Sequence, residues 1–264
     1  MNKFGSTDSL KSNSVLIIGA SRGIGKALAF EFAKNGWDLF LASRDIENLK
    51  TIKSEIESKY SVDCIITVLD VTSDKDYELV FSKIRNQNHN LDLIILNSGI
   101  SKPINLSEID ENIIRQIFET NFFGIVRGMK FAVDYFKIIG KGHIATVSSL
   151  ADARGFPGSS AYVASKTAIS HFTEAASIEL RKSNINVTLI KPGFVITDMT
   201  ANHKFTMPFL ISAEKSAKII YSGIKKGKKQ IYFPLPTAIG SYLIKILPGF
   251  IFRYLTKFWK GENG

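Results

Sequence analysis

The passage SVLIIGASRGIGKALAFEFAKNG narrows the fold more than any other. In it an apolar run from Ser14 to Ile18 meets a turn carrying Gly19, Gly23 and Gly25, and a helical pattern follows. Continuous apolar runs suit strands buried on both faces, and segments with apolar spacing of about 3.6 suit the helices that cover them. The alternation recurs: WDLFLAS (37–43), DCIITVLD (63–70), LDLIILNSG (91–99), GHIATVSS (142–149) and INVTLIKPG (185–193) are separated by amphipathic segments such as DIENLKTIKSEIESKY. Strands alternating with helices call for a parallel sheet with right-handed crossovers. The pattern therefore predicts one doubly wound α/β domain over 14–233, with helices on both faces, a short arm at 1–13 and a helical extension at 234–264. A length of 264 residues needs no second domain.

The glycine turn suggests a ligand. Gly19, Gly23 and Gly25, with Ser21, Arg22 and Ile24 between them, allow a sharp turn and a close approach of backbone to a pyrophosphate. The following helix supplies free N–H groups and the positive end of its dipole. The sheet is thus expected to be of the Rossmann type, with about seven strands. Where an NAD-binding fold places an acid to hold the ribose, at the end of the second strand, this chain has Ser43 and Arg44. Two guanidiniums, from Arg22 and Arg44, suit a 2′-phosphate that an aspartate would repel, so NADP(H) is expected in preference to NAD(H).

A second constellation lies in SSAYVASKTAIS, where Tyr162 and Lys166 stand four residues apart on one expected helix face. A free tyrosine titrates near pKa 10, too high for efficient proton exchange at neutral pH, and a nearby ammonium favours the phenolate. Ser149 ends a predicted strand thirteen residues before Tyr162, and Asn121 lies upstream in ETNFFG. This ordered set resembles the short-chain dehydrogenase/reductase family in its classical form, over roughly residues 14 to 200.

The resemblance implies that Tyr162 is the general acid/base and that Ser149 holds and polarises the substrate oxygen. Lys166 binds the nicotinamide ribose and lowers the Tyr162 pKa, and Asn121 positions a water leading to Lys166. It also implies that Asp70 and Val71 contact adenine, that Asn97, Ser98 and Gly99 form a turn beside the cofactor, and that Pro192, Gly193, Val195 and Thr197 surround the carboxamide. Two positions depart from the family pattern: Ile18 replaces a threonine, and Leu96 replaces the first asparagine of Asn-Asn-Ala-Gly, with Ser98 in place of alanine. Both normally help tie the two turns together. The resemblance implies a homodimer or homotetramer built on the Tyr162 helix.

The expected reaction is hydride transfer between nicotinamide and the carbonyl or alcohol of a small molecule. A 3-oxoacyl thioester is a second substrate class, and a regulatory protein that binds cofactor without turnover is a different kind of reading. Met199, Phe205, Met207, Phe209 and Leu210, in an expected lid over 198–212, suit an apolar substrate or packing on the fold. Arg154 is placed either to meet an acidic substrate group or to stand in solvent.

The remaining features bound the setting. His89, His143, His171 and His203 are scattered without the spacing of a metal site, and no metal is expected. The lone Cys64 lies in an apolar run and is expected to be buried and inert, so nothing points to an oxidising compartment; no secretory signal is evident, and a cytoplasmic location is expected. The net charge of +10 is concentrated at one end, with ten Lys or Arg and one acid, Glu262, from Lys215 onward. Without a recognition motif, this charge does not argue for nucleic acid. The tail TAIGSYLIKILPGFIFRYLTKFWK reads as two short amphipathic helices broken at Pro248–Gly249. Such helices suit peripheral contact with an anionic membrane, a cap on the substrate cleft, or a subunit interface.

Overall fold

A computed structural model describes residues 13–87, 90–201 and 207–257. The expected amino-terminal arm up to residue 12, His89, His203, Phe205 and the tail beyond Lys257 lie outside these residues.

Seven strands form one sheet: β1 (Ser14–Ile18), β2 (Asp38–Ser43), β3 (Cys64–Val68), β4 (Leu93–Leu96), β5 (Gly142–Val147), β6 (Ile185–Pro192) and β7 (Gln230–Phe233). They lie in the order β3-β2-β1-β4-β5-β6-β7, and every pairing is parallel. The chain first builds outward from β1 through β2 to β3, then returns to place β4 on the other side of β1. A sheet that reverses in this way opens a crevice at the carboxyl ends of the two central strands, and ligands of open α/β sheets bind there.

Ten helices are present among the described residues: α1 (Gly23–Lys34), α2 (Ile46–Lys59), α3 (Asp74–Arg85), α4 (Glu111–Phe118), α5 (Gly124–Ile139), α6 (Ser160–Glu179), α7 (Asp198–Ala201), α8 (Ala213–Lys225), α9 (Leu235–Ile246) and α10 (Gly249–Thr256). The fully buried β1 shows why its sequence is apolar throughout. Val15 and Ile17 pack with Phe32 of α1, Ile52 of α2 and Ile220 of α8 on one face. Leu16 and Ile18 pack with Phe81 of α3, Phe136 of α5 and Ile169 of α6 on the other. The edge strand β7 reads Gln-Ile-Tyr-Phe and alternates exposed and buried, so no continuous apolar run announces it.

Between α4 and α5 the backbone widens into one π-helical turn, Glu119–Phe123, which turns the fully buried Asn121 inward. Such turns inside helices are frequent at functional sites.

The carboxyl-terminal helices are split at Pro248–Gly249 as the sequence predicts. The serine and threonine side chains of α9 face the protein: Ser241 Oγ donates to the Leu150 carbonyl at 2.9 Å, and Thr237 packs over Gly193. Arg154, half-buried, is taken up by the carboxyl-terminal helices. Its Nε donates to Ile244 O at 3.1 Å and its Nη2 to Leu247 O, so the guanidinium closes the last turn of α9, where free carbonyls and the negative dipole end favour a cation.

Candidate active site

The glycine turn leaves β1 with Gly19 at φ 84° and Gly23 at φ 55°, a left-handed backbone that side chains rarely adopt. A Cβ on Gly19 would come within 2.8 Å of Ser98 Oγ, and one on Gly25 within 2.0 Å of the Gly19 carbonyl. Helix α1 therefore starts hard against the turn with its amino end open. The donor set and the bare backbone fit the pyrophosphate of a dinucleotide.

Ile18 and Leu96, which depart from the family pattern, are buried apolar partners in adjacent strands, 1% and 2% exposed. The tie between the two turns comes instead from Asn97, whose Nδ2 donates to the Gly19 carbonyl at 2.9 Å while its backbone N–H donates to Ile18 O at 3.1 Å.

Ser43 Oγ donates to Ser21 Oγ at 2.8 Å, joining the end of β2 to the glycine turn. The neighbouring Asp45 caps α2, accepting from the Asn48 N–H at 3.0 Å. Arg22 lies 3.7 Å from Asp198, and Arg44 lies 4.0 Å from Asp70, with both arginine side chains about two-thirds exposed. Burial works to raise the Asp70 carboxyl, but hydrogen bonds from Thr72 and the charges of Arg44 and Arg127 outweigh it and hold the group below its usual range. Val71 packs against Gly124 at the start of α5.

The four expected catalytic residues come from three different elements. Ser149 follows β5 by two residues and caps the short 3-10 turn Leu150–Ala153, accepting from the Ala151 N–H at 3.1 Å. Tyr162 and Lys166 lie one turn apart on α6, with the Lys166 Nζ 5.8 Å from the centre of the phenol ring. Asn121 Oδ1 accepts from the Ile100 N–H at 2.7 Å, and its Nδ2 donates to Ile100 O and to Ser165 Oγ. An added Cβ on Gly99 would lie 3.4 Å from both Asn121 Oδ1 and Lys166 Nζ, so these two groups converge on one glycine.

The electrostatics differ from the expectation in one respect. Burial is the main influence on the Tyr162 phenol and pushes it up; the hydrogen bond with Ser149 pulls it down, and the charge of Asp152 adds to the rise. The Lys166 ammonium, 4% exposed, is lowered by burial to about 8 and donates to Val147 O at 2.9 Å. In the protein alone, Lys166 does not bring the tyrosine below its ordinary range.

A layer of supporting residues escaped the sequence reading. Thr146 bonds Thr173, Ser148 bonds Ser170, and Ser148 Oγ donates to the Lys166 carbonyl, each at 2.8 Å. These links fasten α6 to β5 and so fix Tyr162 relative to Ser149. Asp152 receives Ser170 and pairs with Lys191 at 2.7 Å, the two carrying 5% and 14% exposed side chains. The signal in the sequence was the Thr-Val-Ser-Ser end of β5 facing hydroxyls at helical spacing on α6.

Pro192 ends β6, and Gly193 after it lies under Thr237 of α9, its N–H donating to Phe233 O at 2.7 Å. Val195 bridges Ile211, which brings the two ends of the expected lid together. Thr197 lies across the glycine turn, its Cγ2 3.1 Å from where a Gly23 Cβ would stand. Met199, Phe209 and Leu210 are 41%, 59% and 44% exposed, so they do not simply pack on the fold. Cys64 is buried and its thiol is pushed up to about 12, so it remains an unreactive thiol.

A switch-point crevice, a glycine turn before a helix and a Ser-Tyr-Lys set beside it define an oxidoreductase acting on small molecules. The chain belongs to the short chain dehydrogenase family, whose model matches residues 13–207. An uncharacterized oxidoreductase of Myxococcus xanthus is 32% identical over 240 residues, 90% of this chain and 94% of that one. A protein of Schizosaccharomyces pombe named NADP-dependent 3-hydroxy acid dehydrogenase is 33% identical over 196 residues, 72% of this chain and 74% of that one. A short chain dehydrogenase/reductase of Burkholderia phymatum, solved with NAD, superposes with a TM-score of 0.80 at 18% identity, covering 96% of this chain and 97% of that one.

Proposed function

We propose that this chain is an NADP(H)-dependent oxidoreductase for the carbonyl or alcohol of an apolar small molecule, with Tyr162 as its acid/base. The observation that carries the reading is the partnership of the Ser149 hydroxyl and the Tyr162 phenol above the buried Lys166. The nicotinamide supplies or takes the hydride when bound. Ser149 holds the substrate oxygen, and Tyr162 gives its proton to that oxygen or takes one from it. Lys166, Asn97, Ser98 and Gly99 flank the ribose and nicotinamide, while Gly19, Ser21, Gly23, Ile24 and Gly25 cradle the pyrophosphate.

The cofactor preference rests on Arg22 and Arg44, because the same fold holds NAD in the Burkholderia structure while the yeast relative is named for NADP. Asp70 and Val71 take the adenine side, with Ser43 near the ribose. Pro192, Gly193, Val195 and Thr197 take the carboxamide side. The exposed Met199, Phe209 and Leu210 favour an apolar substrate. The enzyme works in the cytoplasm as a homodimer or homotetramer joined along the outer face of α6, where Ile178 is exposed.

The test is fluorescence titration with NADPH and NADH, followed by a panel of apolar ketones, aldehydes and 3-oxoacyl thioesters. NADPH should bind more tightly and be oxidised by one carbonyl class. Tyr162→Phe should keep the binding and lose turnover by about 100-fold or more; full turnover in that variant would sink the assignment.

A further inference from the structure

Helix α9 is amphipathic in the wrong sense for a helix that covers a protein core. Its hydroxyl side, through Ser241 and Thr237, faces inward. Outward it shows Leu235, Ile239, Tyr242, Leu243 and Ile246, each between 52% and 69% exposed. The succeeding α10 adds Phe250, Tyr254 and Leu255 at 70%, 68% and 62%. Single exposed apolar residues are ordinary on any protein, but eight on two consecutive helices mark a contact surface.

We propose that the outer faces of α9 and α10 bind the surface of an anionic lipid bilayer. Length excludes a span: twelve and eight residues of helix, broken at Pro248, reach about 18 and 12 Å, against a hydrocarbon core of about 30 Å. Among the described residues no helix is long and apolar enough to cross a membrane. The helices therefore lie on the bilayer, with apolar side chains at the level of the acyl boundary.

Charge selects this occupant over a second copy of the chain. From Leu235 to Lys257 there are three Lys or Arg, Lys245, Arg253 and Lys257, interleaved with the apolar stripe, and no Asp or Glu. A two-fold contact through this face would set these cations against one another with no acid of α9 or α10 to pair them, whereas anionic headgroups neutralise all three. The placement also has a geometric result. The inner side of α9 touches the turn that carries Ser149, so docking sets the candidate catalytic centre one helix away from the lipid.

The test uses the full chain and vesicles of phosphatidylcholine alone or mixed in equal parts with phosphatidylglycerol, read by sedimentation. The protein should partition onto the anionic vesicles and be released by high salt. Tyr242→Ser with Leu243→Ser should weaken binding severalfold. Lys245→Glu with Arg253→Glu should weaken it more than about tenfold, at a rate of about fivefold for each basic charge lost. All four positions are exposed, and circular dichroism confirms that the variants fold. Absence of binding to anionic vesicles, or binding that ignores both pairs of substitutions, would overturn the proposal. So would a dimer in light scattering that is lost with Tyr242→Ser and Leu243→Ser while vesicles are ignored, because that outcome assigns the face to a second copy. No readout depends on catalysis, so the result stands apart from the reductase assignment.

Discussion

Lys166 holds its ammonium 5.8 Å from the centre of the Tyr162 ring, yet gives its hydrogen bond to the Val147 carbonyl. Burial then acts on the two residues in opposite directions, raising the phenol and lowering the ammonium to about 8. Both shifts favour the neutral forms. The free site thus stores a cationic lysine at a cost, and an anionic or hydroxyl-bearing ligand beside it relieves that cost.

That cost is measurable as stability. Below pH 8 the folded and unfolded chains both carry the Lys166 proton, and the fold bears the whole penalty, about 3 kcal/mol for the drop from 10.5 to about 8. Between about 8 and 10.5 the unfolded chain keeps a proton that the folded chain has shed, so stability rises with pH across that window. Lys166→Met should stabilise the protein at pH 7 by about 1–2 kcal/mol, the remainder offset by the bond lost at Val147. The alkaline rise should vanish. Urea unfolding at pH 7 and pH 10 checks both.

Arg44→Asp should exchange the cofactor preference. The substitution removes a cation at the end of β2 and restores the acid that suits an unphosphorylated ribose. NADPH affinity should fall about 10–100-fold, the range of one or two charge-assisted hydrogen bonds, while NADH affinity holds or improves. Fluorescence titration with both cofactors reads the ratio. A ratio unchanged from wild type would place the 2′-position elsewhere.

Asn97→Ala should separate the two cofactor turns. It leaves the Gly19 carbonyl without the amide that now reaches it at 2.9 Å, at a cost of about 1–2 kcal/mol. NADPH affinity should fall further than that stability loss explains if Gly19 cradles the pyrophosphate as proposed. Thermal unfolding with and without NADPH distinguishes the two contributions.

Asp152→Asn should leave Lys191, whose side chain is mostly covered, without its ion-pair partner and cost about 1–3 kcal/mol. It also removes a negative charge that helps to raise the Tyr162 phenol. The alkaline limb of turnover should therefore move to lower pH, measured as kcat/KM against pH on the surviving folded fraction. A purely structural role for Asp152 would lower stability and leave that limb in place.

The strands that fill the middle of the sheet were legible because both faces are covered, which makes Val15 through Ile18 apolar without interruption. The local geometry was legible where residue types recur at fixed separations: the glycine turn at Gly19 and Gly23 has the positive φ expected, and Tyr162 and Lys166 share one helix face. The edge strand β7 hid behind its half-exposed alternation, and the buried pair of Asp152 and Lys191 hid because its members are 39 residues apart and join only through folding. The partners of Arg154 were hidden for a similar reason: the carbonyls of Ile244 and Leu247 are backbone groups with no signature in the residue pattern.

The reach of Arg154 to α9 and the bond from Ser241 to Leu150 clasp the final helices to both ends of the turn capped by Ser149. The extension is therefore a splint and not an appendage. Shortening the chain before Leu235 would unclasp that turn, and a bulky fusion pulling on the final helices would be felt as mechanical load at the Ser149 hydroxyl.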